Sequence, residues 1–151
     1  MTKLHSIWVL VPLLMLAGGF CTAKEPPSEE AVYKEQRERM VQRDIAPQGL
    51  WGRDAVRDKA VLKAMGKVPR QEFVAPGMKS QAYADSPLPI GHGQTISQPY
   101  IVAKMTELLN LGKGGKVLEV GSGSGYHAAV VAEIAGEVYT IEIVKPLAEE
   151  A

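Results

Sequence analysis

The sequence predicts an α/β fold in which a doubly wound parallel sheet follows a set of N-terminal helices. Its clearest signature is a short apolar run at residues 117–120, which passes directly into the alternating glycines Gly121, Gly123 and Gly125. A helical pattern and a second apolar segment, residues 137–141, come next. This order of strand, glycine turn, helix and strand is typical of the first unit of a nucleotide-binding sheet.

Residues 1–23 are predicted to be a signal peptide that precedes the fold. Lys3 stands before an apolar run at residues 7–17, and small residues follow it, which is the layout of an export signal. A membrane-spanning helix needs about 20 apolar residues, so this run is too short for one. Cleavage is expected after Ala23, which would place the mature protein in the periplasm or outside the cell. The rival interpretation is a lipidated N-terminus at Cys21.

The composition argues against two classes of binding site. The chain has 17 basic and 17 acidic residues and no basic block, so the electrostatic footprint of a nucleic-acid-binding protein is missing. Its three histidines are scattered, without the spacing of metal ligands, and no metal site is predicted. The single cysteine lies within the predicted signal peptide, which leaves no disulfide in the mature chain.

Two helices are predicted ahead of the glycine segment. Residues 24–34 form a linker and the start of the first helix, whose pattern extends over residues 29–45. Asp58 is a typical N-cap for the second helix, which is expected to end at Gly66. The apolar side chains that this second helix turns inward are Val61, Leu62 and Met65.

Residues 73–99 are predicted to be a long loop, because proline, glycine and polar residues dominate the segment. A loop of this length is uncommon in a compact domain unless it is functional or disordered, and interleaved apolar residues argue against disorder. An amphipathic helix is expected at residues 100–111. Its predicted buried stripe consists of Ile101, Met105, Leu108 and Leu109.

The spacing of the glycines distinguishes between two kinds of nucleotide. Dinucleotide loops run G-x-G-x-x-G, whereas the third glycine here comes one position early and Tyr126 follows it. A bulky ring at the start of the helix disfavours a diphosphate, so the predicted ligand is S-adenosylmethionine, a phosphate-free adenosine. Glu142 is expected to bind its ribose, as an acidic residue does in related folds. The alternatives are a nicotinamide oxidoreductase and a glycine turn without a ligand.

Three segments ahead of the glycine loop carry a more specific pattern. They read VPRxxFV at residues 68–74, AYxDxPLPIG at residues 82–91 and GQTISQP at residues 93–99. Together with the glycine loop, these segments closely resemble the protein-L-isoaspartate O-methyltransferase family. The resemblance runs from about residue 35 to residue 151, which is the predicted N-terminal part of the methyltransferase domain.

The resemblance implies a Rossmann-like methyltransferase fold and methyl transfer from S-adenosylmethionine to L-isoaspartyl and D-aspartyl carboxylates of damaged proteins. Ser97 is the implied catalytic residue. A carboxylate is ionised near pH 7 and needs no general base, so Ser97 is expected to orient it by hydrogen bonding. The candidate cofactor-binding residues are Ile96, Gln98, Glu119, Gly121, Ser122, Gly123, Gly125 and Glu142. The candidate substrate-binding residues are Tyr83, Asp85, Ile90 and Thr95.

Several assignments have an alternative. Ser97 is also placed to cap the helix that starts near Pro99, Asp85 to stabilise a turn, and Glu119 to bind nearby loop amides. Family members continue through further strands and helices, so the chain is expected to be an incomplete portion of a monomeric enzyme. Its alternative is a binding module without catalysis. Because the cofactor is made in the cytosol, a cytoplasmic location is the alternative to export.

Overall fold

The computed structural model describes residues 25–46, 52–112 and 114–151. The predicted signal peptide lies outside these residues. Within the described ranges, no helix is long and apolar enough to cross a membrane. The helices are α1 (Glu29–Met40), α2 (Lys59–Lys67), α3 (Pro99–Leu108), α4 (Tyr126–Ala132) and α5 (Lys145–Glu150), and the strands are β1 (Leu88–Gly91), β2 (Gln94–Ile96), β3 (Lys116–Val120) and β4 (Glu137–Ile141).

The two N-terminal helices begin at the predicted positions. The first continues beyond α1 as a π-helical turn, Val41–Ile45, so the predicted helix over residues 29–45 is confirmed with a change of winding at its end. In α2 the Asp58 carboxylate accepts hydrogen bonds from the Ala60 and Val61 amides, at 2.7 and 3.2 Å. These bonds satisfy two amides that have no partner within the helix.

The segment predicted to be a loop contains regular structure, so that prediction was wrong. Two 3-10 turns, Arg70–Phe73 and Pro76–Gln81, lead into an antiparallel hairpin of β1 and β2. Leu88 lies opposite Ile96 in this hairpin, and both side chains are buried. The proline within β1 concealed the strand from the sequence pattern, because proline is tolerated only at edges and bulges of sheets.

The predicted strand, helix and strand around the glycines are confirmed. Strands β3 and β4 pair in parallel, with Val117 opposite Val138, and α4 connects them. The apolar side chains of β3 are not all buried, because Leu118 is 62% exposed and Val120 is 75% exposed. Only one face of this strand pair is covered by the helices in the described part of the chain.

The predicted apolar stripe of α3 was also wrong. The helix buries Val102, Ala103 and Thr106, through which it packs against α2 and the 41–45 turn. The residues expected to be buried lie on the other side and are at least 39% exposed: Ile101, Met105, Leu108 and Leu109. Because α3 has two apolar faces, the sequence pattern does not determine which of them is buried. The face that packs against α2 is the one with the smaller side chains.

We predict that Asp58→Ala lowers the free energy of unfolding by about 1 kcal/mol, the usual cost of losing an N-cap. The reason is that the Ala60 and Val61 amides lose their acceptor. Urea denaturation measures the change, and Asp54→Ala is the matched control because Asp54 is an exposed aspartate outside the helix. Equal losses in the two variants would contradict the capping role.

Candidate functional site

A cavity of about 550 Å³ lies between the glycine loop and the chain that leaves the hairpin. Residues 95–97 form one wall, residues 117–124 form another, and α3 and α4 contribute side chains. The predicted site residues that line the cavity are Thr95, Ile96, Ser97, Glu119, Gly121, Ser122 and Gly123. The predicted site residues that do not line it are Tyr83, Asp85, Ile90, Gln98, Gly125 and Glu142.

The glycine loop has a backbone that requires glycine. Gly121, Gly123 and Gly125 have φ values of 91°, 55° and 81°, which lie in the left-handed region that side chains disfavour. The Gly121 amide donates to the carbonyl oxygen of Ile141 at 2.7 Å. The loop is therefore fixed to the end of β4 while its turn remains beside the cavity.

Glu142 holds this loop from the end of β4. One carboxylate oxygen accepts from the Gly123 amide at 2.9 Å, and the other accepts from the Ile143 and Val144 amides at 2.8 and 2.9 Å. The hydrogen bonds from Val144 and Gly123 lower the pKa of Glu142. Its visible role is to clamp the glycine loop, and its contact with a ribose stays a prediction.

Ser97 is exposed on the cavity wall. The alternative role as a helix cap is not what the structure shows, because α3 begins at Pro99 and Gln98 occupies the N-cap position. The amide of Tyr100 instead donates to Asp85 at 3.1 Å. The Ser97 hydroxyl is therefore not used to begin α3.

Asp85 fixes the chain on both sides of Pro99. Its carboxylate accepts from the Gln98 side chain at 3.0 Å and from the Arg53 guanidinium at 2.6 Å, in addition to the Tyr100 amide. The Arg53 guanidinium also lies 4.8 Å from the centre of the Tyr100 ring. Asp85 and Gln98 do not line the cavity, so the substrate contact predicted for Asp85 and the cofactor contact predicted for Gln98 stay predictions. Both side chains are held by this network instead.

Tyr83 and Ile90 also lie outside the cavity. Tyr83 is buried, accepts a hydrogen bond from Arg37 at 3.0 Å and donates one to Gln71. Burial raises the pKa of Tyr83. Ile90 packs against Gly123 and borders a smaller cavity of about 380 Å³ beside α5. The observed contacts of Tyr83 are structural, and the substrate contact predicted for it stays a prediction.

The ring of Tyr126 is buried and does not cover the start of α4, so the reason given for disfavouring a diphosphate was wrong. Its side chain is 1% exposed and makes an edge-on contact with Phe73, with ring centres 5.5 Å apart. The Arg70 guanidinium lies 4.7 Å from the ring centre, and burial raises the pKa of Tyr126 to about 12. The ring therefore packs into the core, while Tyr126 and the next residue, His127, both border the cavity.

Glu119 lines the cavity without binding the loop amides that were its alternative partners. Its Oε1 atom lies 3.2 Å from Nδ1 of His127, whereas the Gly123 amide binds Glu142. Its Oε2 atom is buried and has no hydrogen-bond partner, and the same holds for Oγ of Ser124. Buried polar atoms without partners are rare, so these two atoms suit a polar ligand. The unpaired carboxylate oxygen suits a positively charged group.

Sequence reasoning did not identify two polar residues near the cavity, Thr106 and Ser124. Thr106 is buried within α3 and contacts His127 at 3.1 Å. A threonine inside a helix and a serine between glycines carry no functional signal of their own. In the described ranges, no group of three or more histidine, cysteine or acidic residues is arranged to hold a metal ion.

Comparison with known proteins places this site in one family. Residues 48–151 match the family model described as protein-L-isoaspartate(D-aspartate) O-methyltransferase. Protein-L-isoaspartate O-methyltransferase 1 of Rhodopseudomonas palustris is 56% identical over 139 residues, which cover 91% of this chain and 53% of the relative. The protein-L-isoaspartate O-methyltransferase of a Synechococcus strain is 51% identical over 127 residues, covering 84% of this chain and 50% of that protein.

A solved structure agrees with these relatives. It is of a putative protein-L-isoaspartate O-methyltransferase from Plasmodium falciparum in complex with S-adenosyl-L-homocysteine. The TM-score is 0.58 at 30% sequence identity, and the match covers 78% of this chain and 52% of the other. The chain spans about half the length of the curated relatives it matches.

We predict that Glu142→Gln removes a pH-dependent part of the stability. Because the pKa of Glu142 is lowered in the folded protein, its contribution is present above its unfolded pKa and is lost as the pH falls through the folded value. The stability difference between the wild type and Glu142→Gln should therefore shrink between about pH 7 and about pH 3. Urea denaturation across this range measures the difference.

The matched control is Glu38→Gln, which alters an exposed glutamate of α1. A difference for Glu142→Gln that stays constant with pH, or that grows on acidification, would contradict the clamp on the glycine loop.

Proposed function

Because the chain belongs to the protein-L-isoaspartate(D-aspartate) O-methyltransferase family, we propose that it takes part in methyl transfer from S-adenosylmethionine to isoaspartyl residues. The acceptor is the free carboxylate of L-isoaspartyl or D-aspartyl residues in damaged proteins, and the product is a methyl ester that initiates repair. One observation carries the proposal. The exposed Ser97 and the glycine loop line the same cavity, with the unpaired oxygen of Glu119 beside them.

The residues present fit S-adenosylmethionine. The backbone of Gly121 and Gly123 permits close approach of a ligand, and Glu119 offers a buried acceptor for a cationic group. Ile96 and Ser122 line the same wall, and Glu142 fixes the loop. A neighbour of similar fold was solved with S-adenosyl-L-homocysteine, the demethylated form of this cofactor. When bound, S-adenosylmethionine supplies a methyl group on a positively charged sulfur.

Ser97 orients the acceptor carboxylate by donating a hydrogen bond from its hydroxyl. The carboxylate is ionised near pH 7, so no residue has to remove a proton from it. Catalysis then depends on positioning and on partial removal of water from the carboxylate. The Asp85 network supports this role, because it fixes Gln98 and Tyr100 on the C-terminal side of Ser97. Thr95, on the same wall, is the remaining candidate for contact with the substrate.

We further propose that the protein is exported and acts as a monomer on isoaspartyl-containing proteins and peptides, without nucleic acid or metal. The order of a basic residue, an apolar run and small residues within residues 1–23 supports export. Contact with a membrane is then limited to passage of the signal peptide. A cytoplasmic location is the alternative, since the cofactor is made there.

We predict that Ser97→Ala lowers kcat/KM for an isoaspartyl peptide by roughly 10- to 100-fold, the effect of losing a hydrogen bond to a charged group. Transfer of labelled methyl groups from S-adenosylmethionine by the full-length protein measures this. An otherwise identical peptide with a normal aspartyl residue shows whether the acceptor is specific, and Ser80→Ala, at an exposed serine of a 3-10 turn, is the control variant. Unchanged kcat/KM in Ser97→Ala would refute its catalytic role.

We predict that the protein recovered from its native cell begins at Lys24. N-terminal sequencing of protein from the periplasmic and cytosolic fractions tests this, and Ala23→Arg should block the cleavage because a signal peptidase requires a small residue there. An unprocessed chain confined to the cytosol would contradict export. A chain that begins at a lipid-modified Cys21 would instead favour the lipoprotein interpretation.

A further inference from the structure

Three side chains in polar contact connect α3, α4 and β3 beside the cavity. His127, in the first turn of α4, places Nε2 at 3.1 Å from Oγ1 of Thr106 and Nδ1 at 3.2 Å from Oε1 of Glu119. Thr106 is buried, and His127 and Glu119 are largely covered. The imidazole ring is therefore held at both nitrogens, which leaves it one orientation.

The donor and the acceptor can be assigned in the contact between Thr106 and His127. The Thr106 hydroxyl donates to the carbonyl oxygen of Val102 at 2.8 Å, so its oxygen receives a hydrogen bond from Nε2–H of His127. On its other side, Nδ1 of His127 lies 3.2 Å from Oε1 of Glu119, so this oxygen faces the imidazole ring. Oε1 of Glu119 is therefore in contact with the protein, and Oε2 is the oxygen without a partner.

Among the polar atoms of these three side chains, Oε2 of Glu119 lacks a hydrogen-bond partner. It is buried without a hydrogen-bond partner, although Glu119 and His127 both line the cavity. Leaving a buried acceptor unpaired costs about 1–3 kcal/mol. The arrangement therefore favours a ligand that brings a donor, and a cationic donor most of all.

We propose that His127 is a positioning residue which, anchored to α3 through Thr106, holds Glu119 so that Oε2 receives the ammonium group at the amino-acid end of the cofactor. This inference rests on the proposed function, since it assigns a residue that prepares the same cavity for its ligand. It distinguishes the two oxygens of Glu119. Oε1 is held by the protein, and Oε2 is kept for the ligand.

Two ligands and two variants test this role without any measurement of activity. S-Adenosyl-L-homocysteine carries the ammonium group, whereas 5′-methylthioadenosine shares the adenosine and lacks the amino-acid end. His127→Gln keeps an amide near the position of Nε2 and removes the contact with Glu119, while His127→Asn keeps one near the position of Nδ1. Isothermal titration of the full-length protein with each ligand gives the dissociation constants.

We expect His127→Gln to weaken S-adenosyl-L-homocysteine roughly tenfold, the effect of losing one charge-assisted hydrogen bond. The dissociation constant of 5′-methylthioadenosine should change by no more than about twofold. His127→Asn should restore most of the lost affinity for S-adenosyl-L-homocysteine. In a Glu119→Gln background, His127→Gln should cause no further loss, because both changes remove the same interaction. If His127→Gln folds poorly, Glu119→Gln alone keeps the proposal testable, because it should weaken binding of S-adenosyl-L-homocysteine and not of 5′-methylthioadenosine.

Equal weakening of both ligands by His127→Gln would overturn the proposal, since it would mean that His127 only shapes the cavity. Unchanged affinity for S-adenosyl-L-homocysteine in His127→Gln would overturn it as well. If the wild-type protein binds neither ligand, the proposed function itself fails, which is a separate result. Nitrogen chemical shifts of His127 provide an independent check, because Nε2 must carry a proton if Thr106 donates to Val102.

Discussion

The burial of Tyr126 is the contact on which the arrangement of the site depends. Tyr126 follows the last glycine of the loop, and its ring enters the core formed by the preceding helices and turns, beside Phe73 and beneath Arg70. Its hydroxyl lies 3.9 Å from the sulfur of Met65 in α2. One side chain therefore joins the glycine loop to the N-terminal helices, and Tyr126 itself borders the cavity.

Two carboxylates then fix the facing walls of the cavity from outside it. Glu142 binds the Gly123 amide and holds the glycine loop against the end of β4. Asp85 binds Gln98, Tyr100 and Arg53, and so fixes the chain that carries Ser97. Neither carboxylate lines the cavity. Both carboxylates were predicted to contact ligands. In the structure they position the backbone groups and the serine that line the cavity.

The sequence predicted the parts of the fold that depend on local patterns. The N-cap of α2, the parallel strand pair and the glycine turn follow from residue preferences and spacing, and all are present. The hairpin was not predicted because Pro89 is unusual within a strand. The buried face of α3 was predicted wrongly because tertiary contacts determine which of its two apolar faces is covered. Such choices depend on neighbours that are distant in the sequence.

The sequence predicted only part of the site, because the contacts between residues distant in sequence are not visible in local patterns. Ser97, Glu119 and the first glycines of the loop line the cavity as expected, because short motifs specify them. Tyr83 and Asp85 belong to the same motifs but serve the fold, and a motif does not separate a residue that binds a ligand from one that holds its neighbour. The pairing of His127 with Glu119 and Thr106 required the packing of α3, α4 and β3.

The most direct test of the account is the choice of ligand by the wild-type protein. Isothermal titration of the full-length protein with S-adenosyl-L-homocysteine and, separately, with NAD compares the two nucleotide classes that a glycine loop can serve. The account predicts saturable binding of S-adenosyl-L-homocysteine that is lost on Gly123→Val, which would strain a left-handed backbone position, and no binding of NAD. Binding of NAD in preference to S-adenosyl-L-homocysteine would contradict it.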